Sequence, residues 1–345
     1  VLPDSLPTLA SELREAGYLT AAWLQQSQLK AESGYDRGFH FYHEDSRDIA
    51  TINGRFLRWR RQVGRSAPVF AYLHYIDLHD PYRPAPPYDT LYGPTESVRE
   101  KLDESRWKET LSRIQSGEIA LDERDVDELI NLYDGQVTYI DKRLGELFDE
   151  LDARGLLNRS LIVLTSDHGD GFMEHGFISH SVKPYDELIR VPLIMRLPNG
   201  QAAGTRVEQQ VRLIDVKPSI LEKLALPVPK DLDGQSVWAV MDGTTAEPLA
   251  VTEVEMEVGE GYAYFASIRS REWKLIGSST EPFELYDLVL DPGEITNLYG
   301  SSESASELLL QRYQEITQAR ESLQVEQVPV DERTEEKLRA LGYIE

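Results

Sequence analysis

The stretch TSDHGDGFMEHG at residues 165–176 places Asp167 beside His168 directly after the apolar run LIVL, with Gly169 and Gly171 close behind. A carboxylate next to an imidazole offers one anionic oxygen and one neutral nitrogen, a fair pair of ligands for a divalent cation that finds the rest elsewhere. The two glycines would let the backbone turn sharply and approach a ligand closely. A local reading competes on even terms: a turn in which Asp167 bonds nearby backbone. His180 lies 12 residues beyond His168, a spacing that decides nothing, and an exposed or capping histidine is its plain alternative. A second cluster, Asp77, His79 and Asp80, follows the apolar FAYLHYI and precedes a stretch rich in Pro and Tyr, which puts it on a loop at a strand's C-terminal end. His74, inside that strand, reads as a packed residue.

The surrounding pattern says which elements hold these residues. TLASELREAGYLTAAWL reads as a helix with Leu9 and Leu13 on one face, a stop at Gly17 and then a strand. Asp122 to Arg154 carries apolar residues at helical spacing from Leu129 to Leu151, with Gly155 as its C-cap. SLIVLTSD follows as a strand, and RVPLIMRLP as another. Helices alternating with apolar strands predict an α/β fold: a central mixed, mostly parallel sheet flanked by helices. Near residue 240 the texture changes to the short segments YAYFASIRS and EWKLIGS, then FELYDLVLDPGEITNLYG and a polar helix from about Ser304. This predicts a catalytic α/β domain over 1–240 and a smaller C-terminal sheet-plus-helix subdomain over 241–345. Open sheets of this kind place ligands at the carboxyl ends of their strands, where both clusters fall.

Composition excludes several classes. With 36 basic and 60 acidic residues among 345, the net charge of −24 argues against binding nucleic acid through its phosphates. Without any cysteine there can be no disulfide, thiolate site or cysteine nucleophile. No apolar run reaches the roughly 18 residues of a membrane span. The chain begins at Val1 without signal-peptide features, which reads as a processed product or a piece.

Read in order, the segments YDGQVTYIDKRLGELFDELDARGLLNRSLIVLTSDHGDGFMEHG, HSVKPYDELIRVPLIMRLP, FAYLHYIDLHDPYRP, LIDVKPSILEKLAL with LDGQS, and WKLI with ELYDLVLDPGEITNL resemble the sulfatase family of the alkaline phosphatase superfamily. The PTLASELREAGYLTAAW and GYDRGF segments and the final LRALGYIE fit the same pattern. The resemblance implies an alkaline phosphatase-like fold and a sulfatase-type, metal-dependent hydrolase of sulfate monoesters, acting on a sulfated or phosphorylated small molecule or glycan. It implies Asp167 and His168 as ligands of one divalent ion, Ca²⁺ or Mn²⁺. His79 would contact the transferred group or assist the leaving oxygen, His180 would touch the sulfate or phosphate oxygens, and Lys183 is a second cation for that role. His175 would border the site. A periplasmic or secreted location goes with the family.

One part of the pattern does not match. Family members carry, near their N-terminus, paired acidic ligands and a Cys or Ser in a C/S-x-P-x-R context that becomes the nucleophile. The S-x-P tripeptides at 5–7 and 66–68 lack the Arg, so the expectation is a chain without its nucleophile and without the first strand or two, about 80 to 120 residues. Such a chain would be inactive alone. A phosphatase, phosphonate hydrolase or phosphoryl transferase of the superfamily would share the same motifs, and a non-catalytic binding relative would lack the nucleophile throughout. The charged insertion from Tyr92 to Glu123 reads as a lid or as a solvated helix pair.

Overall fold

The structure, a computed structural model, describes residues 2–322 apart from residues 4, 26–27, 45–46, 65–66, 181–182, 259–260 and 302. The LRALGYIE segment lies outside the described residues. The chain folds as two compact units, Val1–Leu161 with Arg196–Gln201, and Ile162–Met195 with Ala202–Glu345.

The first unit opens with α1 (Leu9–Glu15), whose N-cap Thr8 accepts the amide of Ser11. After Gly17 the chain enters β1 (Leu19–Leu24), the centre of a parallel sheet between β2 (Phe41–His43) and β3 (Val69–His74). Between β2 and β3 runs α2 (Ile49–Gln62), capped by Asp48, whose Oδ1 accepts the amide of Thr51 at 2.7 Å. The apolar β1 is buried along its length because α2 covers it: Trp23 packs edge-on against Phe56 and Trp59. The charged insertion forms α3 (Glu96–Lys101) and α4 (Trp107–Gln115), and α3 buries Val98 against the long helix that follows. That helix, α5 (Glu123–Ala153), matches its predicted span and starts in a capping box between Asp122 and Asp125. Gly155, just past its end, has φ of 61°, a left-handed turn that ends the helix without a Cβ clash.

The second unit begins with β4 (Ile162–Thr165) and a hairpin of β5 (Gly171–Phe172) and β6 (Ile178–Ser179). Next come α6 (Asp186–Ile189), β7 (Leu193–Arg196), which pairs with β4, then α7 (Val216–Lys223) and α8 (Val237–Met241). An antiparallel sheet in the order β11-β10-β9-β8 follows, made of β8 (Ala250–Val258), β9 (Gly261–Arg269), β10 (Trp273–Ser278) and β11 (Glu284–Asp287), with α9 (Glu303–Ser322) after it. Side chains alternate across the sheet. Ala266, Ile268, Leu275 and Leu285 face Leu309 and Tyr313 of α9, whereas Ile276 and Tyr286 face Phe177, Tyr185 and Leu188. The compact units divide the chain at Leu161, and the apolar residues around the hairpin and α6 find their core on the antiparallel sheet.

Candidate active site

Beyond β4 the backbone is tied locally. Oγ of Ser166 donates to the carbonyl of His168 at 2.7 Å, and the amide of His168 donates to Oδ1 of Asp167 at 3.1 Å. His168 Nδ1 lies 2.8 Å from the carbonyl oxygen of Gly169. A carbonyl can only accept, so Nδ1 carries the proton and the lone pair sits on Nε2, the tautomer in which ligand histidines are commonly held. In the hairpin, Gly171 pairs with Ser179 and Phe172 with Ile178. Asp170 and His180 are the next positions in that register, and Nδ1 of His180 lies 3.2 Å from Oδ1 of Asp170. The same logic leaves the lone pair of His180 on Nε2. The rings of His168 and His180 stack with centroids 4.3 Å apart.

Ligand atoms of His168, Asp170 and His180 all lie within 4.8 Å of one another, a cluster that could hold a metal ion. The donor set fits a divalent cation that accepts nitrogen as well as oxygen. Of the expected site residues, the fold thus brings His168 and His180 together and adds Asp170, which the sequence did not single out as a ligand. Asp167 stands beside them: its Oδ2 is 4.0 Å from Nε2 of His168, but its side chain is 73% exposed against 8% for Asp170, and its other oxygen takes the local backbone bond.

Lys183 has a different setting. Its ammonium pairs with Glu281 and with Oε1 of Glu284 at 2.9 Å. Burial pulls this ammonium down, but the two glutamates outweigh it and hold the group above the ordinary lysine range. His79 belongs to the first unit, where its Nδ1 lies 2.8 Å from both the carbonyl oxygen and Oδ1 of Asp80. Its loop is braced by α5: Nε2 of Gln136 donates to the carbonyl of Asp77 at 2.7 Å. His74 ends β3 beside Tyr72, whose hydroxyl is 3.2 Å from its Nδ1. His175 faces Oε1 of Glu187 at 2.6 Å and the carbonyl of Glu294 at 3.1 Å, and stacks on Tyr185 at 3.6 Å.

Comparison with known proteins gives the family and the fold. The family model for sulfatases matches residues 1–225, and that for the C-terminal region of N-sulphoglucosamine sulphohydrolase matches 173–322. The chain belongs to the sulfatase family. The sulfatase chain is 26% identical to mouse (Mus musculus) arylsulfatase K over 275 residues, 70% of its own length and 48% of the relative's. It therefore spans about half the length of that curated relative. Two solved structures share its fold. One, a complex with its substrate D-glucosamine-2-N,6-O-disulfate, aligns with a TM-score of 0.69 at 20% identity over 95% of this chain and 85% of that one. The other, the phosphonate monoester hydrolase of Agrobacterium radiobacter, gives 0.71 at 19% identity over 96% and 84%. The fold is alkaline phosphatase-like, with helices on a parallel sheet and an antiparallel C-terminal sheet.

The glycines of the DHGDG segment act differently from expectation. Neither Gly169 nor Gly171 has a positive φ, so neither serves a left-handed turn. A Cβ on Gly169 would lie 2.1 Å from the carbonyl oxygen of Glu187, and one on Gly171 would lie 2.3 Å from the ring of Phe177. What approaches closely is the protein itself: α6 on one side and the hairpin's own aromatic on the other.

Asp77 is a further residue whose role needed the fold. Its Oδ2 accepts the amide of Ile49 at 3.0 Å, joining the end of β3 to the first turn of α2. Burial raises its pKa from 3.8 to about 6, against the lowering effect of the Ile49 bond. Because the folded value exceeds the unfolded one, the ionised carboxylate is a cost to the fold. The cost is complete above about pH 6 and gone below 3.8. Asp77→Asn, which keeps an acceptor for Ile49, is expected to stabilise the sulfatase chain by about 1 to 3 kcal/mol at pH 7 and by nothing near pH 4. Urea unfolding at the two pH values checks this; an equal effect at both would show that the carboxylate does not titrate in the fold.

Proposed function

We propose that the protein containing this chain hydrolyses sulfate monoesters, of a sulfated small molecule or glycan, with the help of one divalent cation. The observation that supports the reading is the convergence of His168, Asp170 and His180 just past β4 in a member of the sulfatase family. His168 would hold the cation through Nε2, with Asp170 and Asp167 supplying carboxylate oxygens. An imidazole ligand moves the preference from Ca²⁺, which takes oxygen ligands, towards a first-row transition ion such as Mn²⁺. When bound, the cation would neutralise charge on the sulfate oxygens as the ester bond breaks.

The residues of this chain would serve the leaving group and the anion, and the group that attacks sulfur is not among them. Asp170 orients His180 through Nδ1, so that Nε2, when it carries a proton, can deliver it to the departing alkoxide. His79, in the first unit, is oriented by Asp80, and its assignment to the transferred group rests on the family resemblance alone. Lys183, between its two glutamates, tethers the segment before α6 in this reading and does not contact the anion directly. The test is turnover of an aryl sulfate, an aryl phosphate and an aryl phosphonate monoester by the protein, with and without chelator. Sulfate hydrolysis that chelator removes and Mn²⁺ restores is expected; preference for either phosphorus ester would overturn the substrate class, and indifference to chelator would overturn the metal.

A further inference from the structure

The cluster is supported from the antiparallel sheet by a side chain that lies more than a hundred residues along the chain. Lys274, the second residue of β10, is fully buried, on the sheet face that looks towards α6. Its Nζ is 3.1 Å from Oδ1 of Asp186, the first residue of α6, and 2.8 Å from Oε1 of Glu294, an ion-pair distance outside hydrogen-bond alignment. Arg269 of β9 grips the same Asp186, with Nη2 2.9 Å from Oδ2. Glu294 is itself buried and reaches back to the helix, its Oε2 accepting the amide of Asp186 at 2.6 Å. It does so from a left-handed backbone, φ 53°, which a non-glycine residue adopts only when its surroundings demand it. Burial pushes Asp186 up, yet Arg269 and Lys274 outweigh it and leave its carboxyl below the usual range.

From α6 the contacts continue to the cluster. The carbonyl of Leu188 accepts the amide of Gly169 at 2.8 Å, and the carbonyl of Glu187 sits where a Gly169 side chain would be. Gly169 is the residue between His168 and Asp170. The hairpin that carries Asp170 and His180 is held by the same helix, because His175 in its turn bonds Glu187 and stacks on Tyr185. A buried lysine is costly unless its charge is met on more than one side. Here the charge is met by the first residue of α6 and by the turn after β11, so it sets where α6 rests along the sheet.

We propose that Lys274 is a positioning residue for the His168–Asp170–His180 cluster, acting through Asp186 and Glu294 on α6 and through α6 on Gly169 and the hairpin. The idea rests on the functional reading above only for what the cluster does; the placement of the rings is tested without it.

The experiment uses the whole 345-residue chain, first free of metal, and follows the ring ¹H–¹³C signals of its seven histidines. Lys274→Met is expected to shift or broaden the His168 and His180 signals while His40 and His43, in the first unit, stay in place. Asp186→Asn, a milder change that leaves the backbone bond to Glu294, is expected to move the same two signals less, and it carries the test if Lys274→Met does not fold. Leu285→Ala weakens the opposite face of the same sheet and is expected to lower the unfolding temperature without moving them. Titration with MnCl2, read from the EPR signal of the free ion, should then show a loss of about 10- to 100-fold in affinity for Lys274→Met and none for Leu285→Ala. Unmoved His168 and His180 signals in both charge variants would overturn the proposal, and so would equal shifts in Leu285→Ala. A parent chain that binds no Mn²⁺ would sink the metal reading alone, and the metal-free spectra would still decide the positioning role.

Discussion

Replacing Gly169 by alanine is expected to cost the site both its metal affinity and its turnover, although no polar side chain is removed. The added Cβ would lie 2.1 Å from the carbonyl oxygen and 3.2 Å from the carbonyl carbon of Glu187. Those are backbone atoms of a helix that Asp186 and Glu294 pin to the sheet, so no side-chain rotation relieves the clash. Either α6 leaves its seat or the His168–Asp170 segment shifts by about 1 Å, a displacement that commonly costs on the order of 10²-fold in rate. Overpacking of this kind also destabilises by roughly 1 to 3 kcal/mol. The expected result is Mn²⁺ affinity reduced by about 100-fold or more and sulfate ester turnover reduced at least as much. Gly145→Ala supplies the comparison: that glycine lies within α5 with nothing within 4 Å of its absent Cβ, so alanine should stabilise by about 0.5 to 1 kcal/mol and leave binding alone. Gly169→Ala with parental Mn²⁺ affinity would show that the contact between α6 and the DHG turn does not set the site.

His180 carries the second large expectation, because two roles are open to its Nε2 and they predict different results. As the proton donor, its loss in His180→Ala should reduce turnover by about 10²- to 10⁴-fold. The loss should be largest for an alkyl sulfate, whose alkoxide needs the proton, and small for a nitrophenyl sulfate, whose leaving group does not. Mn²⁺ binding should survive. Asp170→Asn should also lower the rate, since the ring keeps a polar partner at Nδ1 but the cluster loses a carboxylate, and unlike His180→Ala it should weaken Mn²⁺ binding. Equal losses on both esters, together with lost Mn²⁺ binding, would instead make His180 a ligand and remove it as the acid.

The sequence by itself determined the local units and their chemistry. Helical spacing marked α5 to within a residue, because an amphipathic helix of that length is specified by its own apolar stripe and its cap. The apolar run of β4 placed Asp167 and His168 at a strand end, since strand and turn preferences act over a few residues. Segment order over the chain identified the family.

What the sequence could not settle was everything that depends on residues distant along the chain meeting in one place. The 12-residue interval from His168 to His180 has no meaning until the hairpin register sets Asp170 opposite His180. The glycines of DHGDG are legible as freedom of backbone, but that the freedom serves the approach of α6 and Phe177 is a fact of packing. Lys274 in WKLI reads as a lysine in a strand, and its ion pair with Asp186 spans 88 residues. The core that the hairpin and α6 share with the antiparallel sheet joins segments about a hundred residues apart. Local preference decides which elements form; register and burial, summed over contacts far apart in sequence, decide which side chains meet.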